Sequence, residues 1–195
     1  MAINIGYLGP SGSFSEAVTF DIYPKDENQA CSYIAHPTIN DLIQATIDGS
    51  VTRAILPIHN SKSGLLKDRH GIELMSYIND PANKILVITE KLWPLKFCLL
   101  GSEGSCIEEI KVVHTNDYAE QLCKDYFAKH SNWKVEKHAS SSEAARFVSE
   151  LKSCSHAALA SIDAAKEYKL HCLNNQLFES ESDWPIMRFL VIAHA

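Results

Sequence analysis

A rhythm limits the folds open to this chain more than any other feature. Short apolar runs recur along it, each followed by a stretch whose apolar residues fall at helical spacing. The runs at 3–8, 31–35, 53–56, 85–88, 97–100, 111–114, 134–138, 157–160 and 189–192 read as strands. The stretches at 14–23, 38–48, 65–78, 117–129, 141–151 and 161–168 read as helices. Thr38 precedes Leu42, Ile43, Ala45 and Ile47 as an N-cap, and Ala144, Ala145 and Val148 share one helical face. Alternation of this kind predicts an α/β fold whose mostly parallel sheets are flanked by helices. It breaks near residues 85–105, where Pro94 punctuates two consecutive strands, and this predicts two lobes. Residues 1–90 with 178–195 are expected in the first lobe and 91–177 in the second.

With 195 residues, 46% of them hydrophobic, the chain can bury a core of that size. A net charge of -6 argues against nucleic-acid and anionic-membrane partners. It leaves room for a small dianion, because a local group of N–H donors and one Arg outweighs the overall field. MAINIGYLGP has neither the basic nor the long apolar region of a signal peptide. No apolar run reaches the roughly 18 residues of a membrane span. Six cysteines, none in CxxC spacing, read as reduced thiols of a cytoplasmic protein. Nine histidines show no HExxH and no paired ligand spacing, so no metal is expected.

Four segments carry possible chemistry. Gly9-Pro10-Ser11-Gly12-Ser13-Phe14-Ser15 joins a strand to a helix, and its hydroxyls and free helix N–H groups fit a carboxylate or phosphate. By spacing alone an ordinary capped turn accounts for it as well. Pro57-Ile58-His59-Asn60-Ser61-Lys62-Ser63-Gly64 follows a strand, and loops at strand carboxyl ends face the binding crevice of open α/β sheets. A solvated polar loop is the alternative. Ser140-Ser141-Ser142-Glu143 fits a capping box, which is a sufficient role by itself, and Ala160-Ser161 is a similar step. Arg188 opens an otherwise apolar closing strand, where its charge is either a solvated strand end or a carboxylate fork.

Taken together and in order, these segments resemble the catalytic domain of prephenate dehydratase. The family's GPxGTFSxxAA is similar to GPSGSFSEAV, its PIENSxxG to residues 57–64, its HCLLG to residues 97–101 and its STAxAA to residues 140–145. Its AIASxxAAxxYGL is similar to residues 158–170, and its TRFLVI to residues 187–192. The resemblance implies the fold of type-2 periplasmic binding proteins, two lobes with the ligand cleft between them. It implies a prephenate-like dicarboxylate as substrate, no cofactor, and a homo-oligomer with no interface residue legible. The usual regulatory ACT domain is not expected.

The departures from the family pattern are chemical. The family's catalytic Thr falls at Met187, the Glu of its PIENS loop at His59, and its SHPQA segment on Thr115-Asn116-Asp117-Tyr118-Ala119. The loop 179–186 runs longer than the family pattern and carries Trp184. Met187 has no proton to give a leaving hydroxide, whereas decarboxylation that keeps the hydroxyl needs an acid in a new place. The expected reaction is therefore non-aromatising decarboxylation in a secondary-metabolite pathway. The dehydratase giving phenylpyruvate and a non-catalytic binding module are the alternatives. His59, Arg188 and Ser13 are the expected catalytic residues. Ser11, Gly12, Asn60, Ser61, Thr115, Asn116, Ser140, Ser141, Ala160, Ser161, Met187 and Phe189 are expected to line the substrate.

Overall fold

The computed structural model describes residues 3–25, 31–68 and 70–195. Residues 1 and 2 of the leader reading, and residue 69 within the helix expected over 65–78, lie outside them.

The chain divides into two compact units. One comprises Met1–Pro10, Phe14–Pro94 and Ile186–Ala195; the other comprises Ser11–Ser13 and Leu95–Pro185. The first unit's sheet runs in the order β2 (Cys31–His36), β1 (Ile3–Leu8), β3 (Arg53–Asn60), β11 (Ile186–His194), β5 (Ile85–Pro94). β1 lies parallel to β2 and β3, while β11 runs antiparallel to both β3 and β5. A two-residue strand, β4 (Gly64–Leu65), turns back against β3. Helices α1 (Phe14–Ile22), α2 (Ile39–Ile47) and α3 (Leu74–Asn79) complete the unit. Leu42 and Ile43 of α2 pack with Leu56 and Ile58 of β3, Leu74 of α3, and Leu190 and Ile192 of β11.

The second unit's sheet runs β10 (His171–Asn174), β6 (Phe97–Gly101), β9 (His156–Ser161), β7 (Val112–Thr115), β8 (Lys134–Lys137). β7 is parallel to β8 and β9, whereas β6 is antiparallel to β9 and β10. Its helices are α4 (Asp117–Leu122), α5 (Lys124–Ala128), α6 (Ser141–Leu151) and α7 (Ile162–Tyr168). One core cluster here is rich in alanine, with Ala144 and Ala145 of α6, Ala158 and Ala160 of β9, and Ala164 and Ala165 of α7; Phe97, Leu99, Ile110, Trp133 and Leu159 are buried in the same unit.

Several expectations are corrected. The sheets are mixed rather than mostly parallel, because β11 and β6 enter against the direction of their neighbours. The helix expected over 65–78 is confined to Leu74–Asn79. Gly64 and Gly71 turn the chain at φ 81, and Asp68 accepts the N–H groups of His70 and Ile72 at 2.8 and 2.9 Å, a turn geometry that excludes a helix there. The helix expected over 117–129 breaks at Cys123, where φ -102 and ψ 21 leave the helical region. β5 continues to Pro94, and β10 was not legible. Residues 11–13, expected in the first lobe, group with the second unit. Ser161 Oγ donates to Gly12 O at 2.7 Å, and Tyr168 Oη donates to Ser11 O at 2.8 Å. Among the described residues no helix is long and apolar enough to cross a membrane.

Candidate functional site

The first unit gathers its share of the expected residues where β3 ends beside the start of β11. Asn60 stands opposite Met187 and His59 opposite Arg188. The ends are tied by Ser61, whose N–H donates to Ile186 O and whose Oγ accepts from Ile186 N, both at 2.9 Å. Ser61 is therefore occupied in holding two strands together. Asn60 is fully buried, and its Oδ1 accepts from the N–H groups of Lys62 and Ser63 at 2.8 and 3.3 Å. That turn fixes the amide and leaves its Nδ2 buried without a partner. An unmet buried donor costs about 1–3 kcal/mol, so a native site that keeps one invites a ligand acceptor.

Met187 and Phe189 are buried, while Arg188 between them is exposed, as strand alternation requires. The Arg188 guanidinium is engaged by Glu90 on β5, with Nε donating to Oε2 at 2.7 Å. Its charge is thus compensated, and its side chain is not brought together with Met187. His59 is half-buried, between Leu65 of β4 and Arg188 in the sheet register.

The second unit carries a row of capped strand ends. Asn116, Ser140 and Ser161 each cap the helix that follows, accepting from Ala119 N at 2.8 Å, Glu143 N at 3.1 Å and Ala164 N at 3.1 Å. Extended backbone at each cap turns β7, β8 and β9 into α4, α6 and α7. Thr115 is fully buried and donates to Leu159 O at 3.3 Å. Ala160 is buried in β9, and Ser141 opens α6 half-buried. Gly12 sits at φ +74, and a Cβ on it would lie 2.9 Å from Ala164 Cα, so only glycine fits against α7 there. Ser11 and Ser13 flank it. Strand alternation and capping could be read from sequence, but the bonds pinning residues 11–13 to α7 span about 150 residues and leave no local signal.

Sequence reasoning also missed a row of imidazoles. His114 Nδ1 lies 2.9 Å from His138 Nε2, and His114 Nε2 lies 2.8 Å from His156 Nδ1. Burial, together with the two flanking histidines, pushes the His114 imidazolium down to about 4. Both nitrogens of His114 are taken by neighbouring rings, so the row is a hydrogen-bonded chain rather than a convergent ligand set. Spacings of 24 and 42 residues hid it from any motif.

Two mixed sheets flanked by helices, with polar groups at strand carboxyl ends, define the class as α/β proteins. This chain belongs to the prephenate dehydratase family, whose model matches residues 5–195. It is 30% identical over 171 residues to the prephenate dehydratase of Lactococcus lactis subsp. lactis, covering 86% of this chain and 56% of that one. It is 26% identical over 190 residues to the bifunctional chorismate mutase/prephenate dehydratase of Buchnera aphidicola subsp. Schizaphis graminum, covering 97% of this chain and 47% of that one. The chain thus spans about half the length of such relatives. In fold it is similar to the Arthrobacter aurescens prephenate dehydratase solved with L-Phe, with a TM-score of 0.79 and 22% identity over 99% of this chain and 61% of that one.

Proposed function

We propose that this chain is a cofactor-free lyase acting on prephenate, and that its product is phenylpyruvate. The observation that carries the reading is Asn60, a buried amide donor without a partner in the segment that matches the family's PIENS loop. A substrate carboxylate or hydroxyl supplies the acceptor that this Nδ2 lacks. In the reaction the bond to the ring carboxylate breaks and CO2 leaves. Its electron pair moves through the diene, and the ring hydroxyl departs as hydroxide and takes one proton to become water. The relatives named above are dehydratases, and this reaction is theirs.

A second reading is favoured by one observation. Met187 stands at the family's Thr position, buried opposite Asn60, and offers no proton to the departing hydroxyl. In non-aromatising decarboxylation the electron pair released with CO2 instead takes a proton at a ring carbon, and the hydroxyl stays. His59, one residue before Asn60, is the acid assigned in that case.

Incubation of the protein with prephenate near neutral pH, following CO2 and the ultraviolet spectrum of the product, decides between them. CO2 with phenylpyruvate is the expected result. CO2 with a non-aromatic hydroxylated product establishes the second reading, and no acceleration of either overturns both. Asn60→Asp keeps the acceptor oxygen and removes the donor. It is expected to lower kcat/KM roughly 10- to 100-fold. Under the second reading, Met187→Thr is expected to divert product towards phenylpyruvate.

A further inference from the structure

Beside the start of α7 the second unit has a half-open cleft of about 520 Å³, a volume that suits a small ligand. Part of its wall is the segment before β11. Phe178 and Trp184, with Ile162 of α7, supply apolar walls. Lys96 lines the same space, with its Nζ 4.3 Å from the Trp184 ring centroid.

The charge on Lys96 differs from its counterpart elsewhere. In the first unit Lys91 also lies over an indole, that of Trp93 at 5.7 Å, but Asp21 neutralises it at 2.6 Å. Among the described residues no carboxylate lies within ion-pair distance of Lys96. A ring face holds an ammonium in place without cancelling its charge. A fixed cation in a concave, aromatic-walled space selects an anion. Glu179 and Glu181 also line the cavity, and Glu179 leans to Lys129 at 3.8 Å. With Glu179 offset by Lys129, Lys96 faces one remaining carboxylate, Glu181, so the lining accommodates one anionic group and opposes a second. The occupant is thereby limited to one anionic group and one ring.

We propose that this cavity is a binding site for a single-ring aromatic monocarboxylate, with its carboxylate on Lys96 and its ring against Phe178 and Trp184. The proposal rests on the cavity's own lining and not on the proposed reaction, whose substrate is a dianion.

Calorimetric titration of the full chain with 3-phenylpropionate tests it, using 3-phenylpropionamide as the neutral isostere and succinate as a ringless dianion. The acid is expected to bind saturably, and the amide and succinate far more weakly. Lys96→Met, an exposed position, is expected to weaken the acid roughly ten-fold or more. Trp184→Leu is expected to weaken it too, with the far-ultraviolet spectrum checking the fold of both variants. Asn60→Asp is expected to leave binding of the acid unchanged even where it impairs turnover. The proposal is overturned by absence of saturable binding, by an amide that binds as tightly as the acid, or by unaltered affinity in folded Lys96→Met. Loss of binding in Asn60→Asp also overturns it, since the acid would then occupy the reaction site.

Discussion

In the first unit the core cluster of eleven buried residues contains two alanines, and in the second the cluster of ten contains six. Leucine and isoleucine fill the space between α2 and its sheet, so that core depends on side-chain volume. In the second unit's cluster the small side chains let α6 and α7 lie close on β9 and β6, so that layer depends on close approach of backbones. The same class of layer is built in two ways, and the two ways fail under opposite substitutions.

The largest expected effect is loss of volume in the first unit. Leu56→Ala, at a fully buried position of β3, is expected to destabilise by about 2–5 kcal/mol in urea denaturation. A cost under about 1 kcal/mol would show that this core collapses readily and would erase the contrast.

Acid separates the units next. His114 is neutral when folded down to about 4, whereas in the unfolded chain its ordinary value is 6.5. Its contribution is therefore intact above 6.5 and is lost as pH falls from 6.5 to about 4, on the order of 2–3 kcal/mol in all. In the first unit Asp68 accepts from Tyr77 Oη at 2.7 Å and is held down to about 2, chiefly by that bond. Its contribution is present above 3.8 and goes only as pH falls towards 2. Thus the second unit is expected to weaken first on acidification, as read by Trp133 and Trp184 fluorescence against that of Trp93. His114→Phe should flatten that limb, and an unchanged slope would remove the imidazole row as its cause.

Added volume comes third. Ala158→Leu on β9 is expected to cost about 1–3 kcal/mol, because nothing in the alanine-rich layer can yield without moving a helix. A smaller effect is expected at the cap of α6. Ser140→Ala removes the acceptor of Glu143 N and should cost about 1 kcal/mol, measured as a shift in the denaturation midpoint.

Elements whose signal is local were legible. The Thr38 cap, the Ser140 cap and the apolar face of α6 follow from residues within one or two turns, and the structure has each of them. Features fixed by distant partners were not. Strand direction in the sheets depends on where β11 and β6 insert, which no local pattern encodes. Arg188 illustrates the same limit. Its position in the strand could be read, but Glu90, almost a hundred residues earlier, decides whether its charge is available. Asn60 lies between these cases: the family loop marked it, and only packing around β3 shows that its Nδ2 is left without an acceptor.

β11 joins β3 to β5 in the middle of the first sheet, yet it follows β5 in the chain by 92 residues, from Pro94 to Ile186. At a ribosomal pace of about 5–20 residues per second, the nascent β5 waits roughly 5–20 s for its neighbour. Throughout that interval Leu86, Val87, Ile88 and Leu92, which are at least 48% exposed even in the finished sheet, face solvent or a chaperone. The second unit's segment 95–185 emerges during the same interval. The order of synthesis thus makes the unit that begins the chain the one that is completed last.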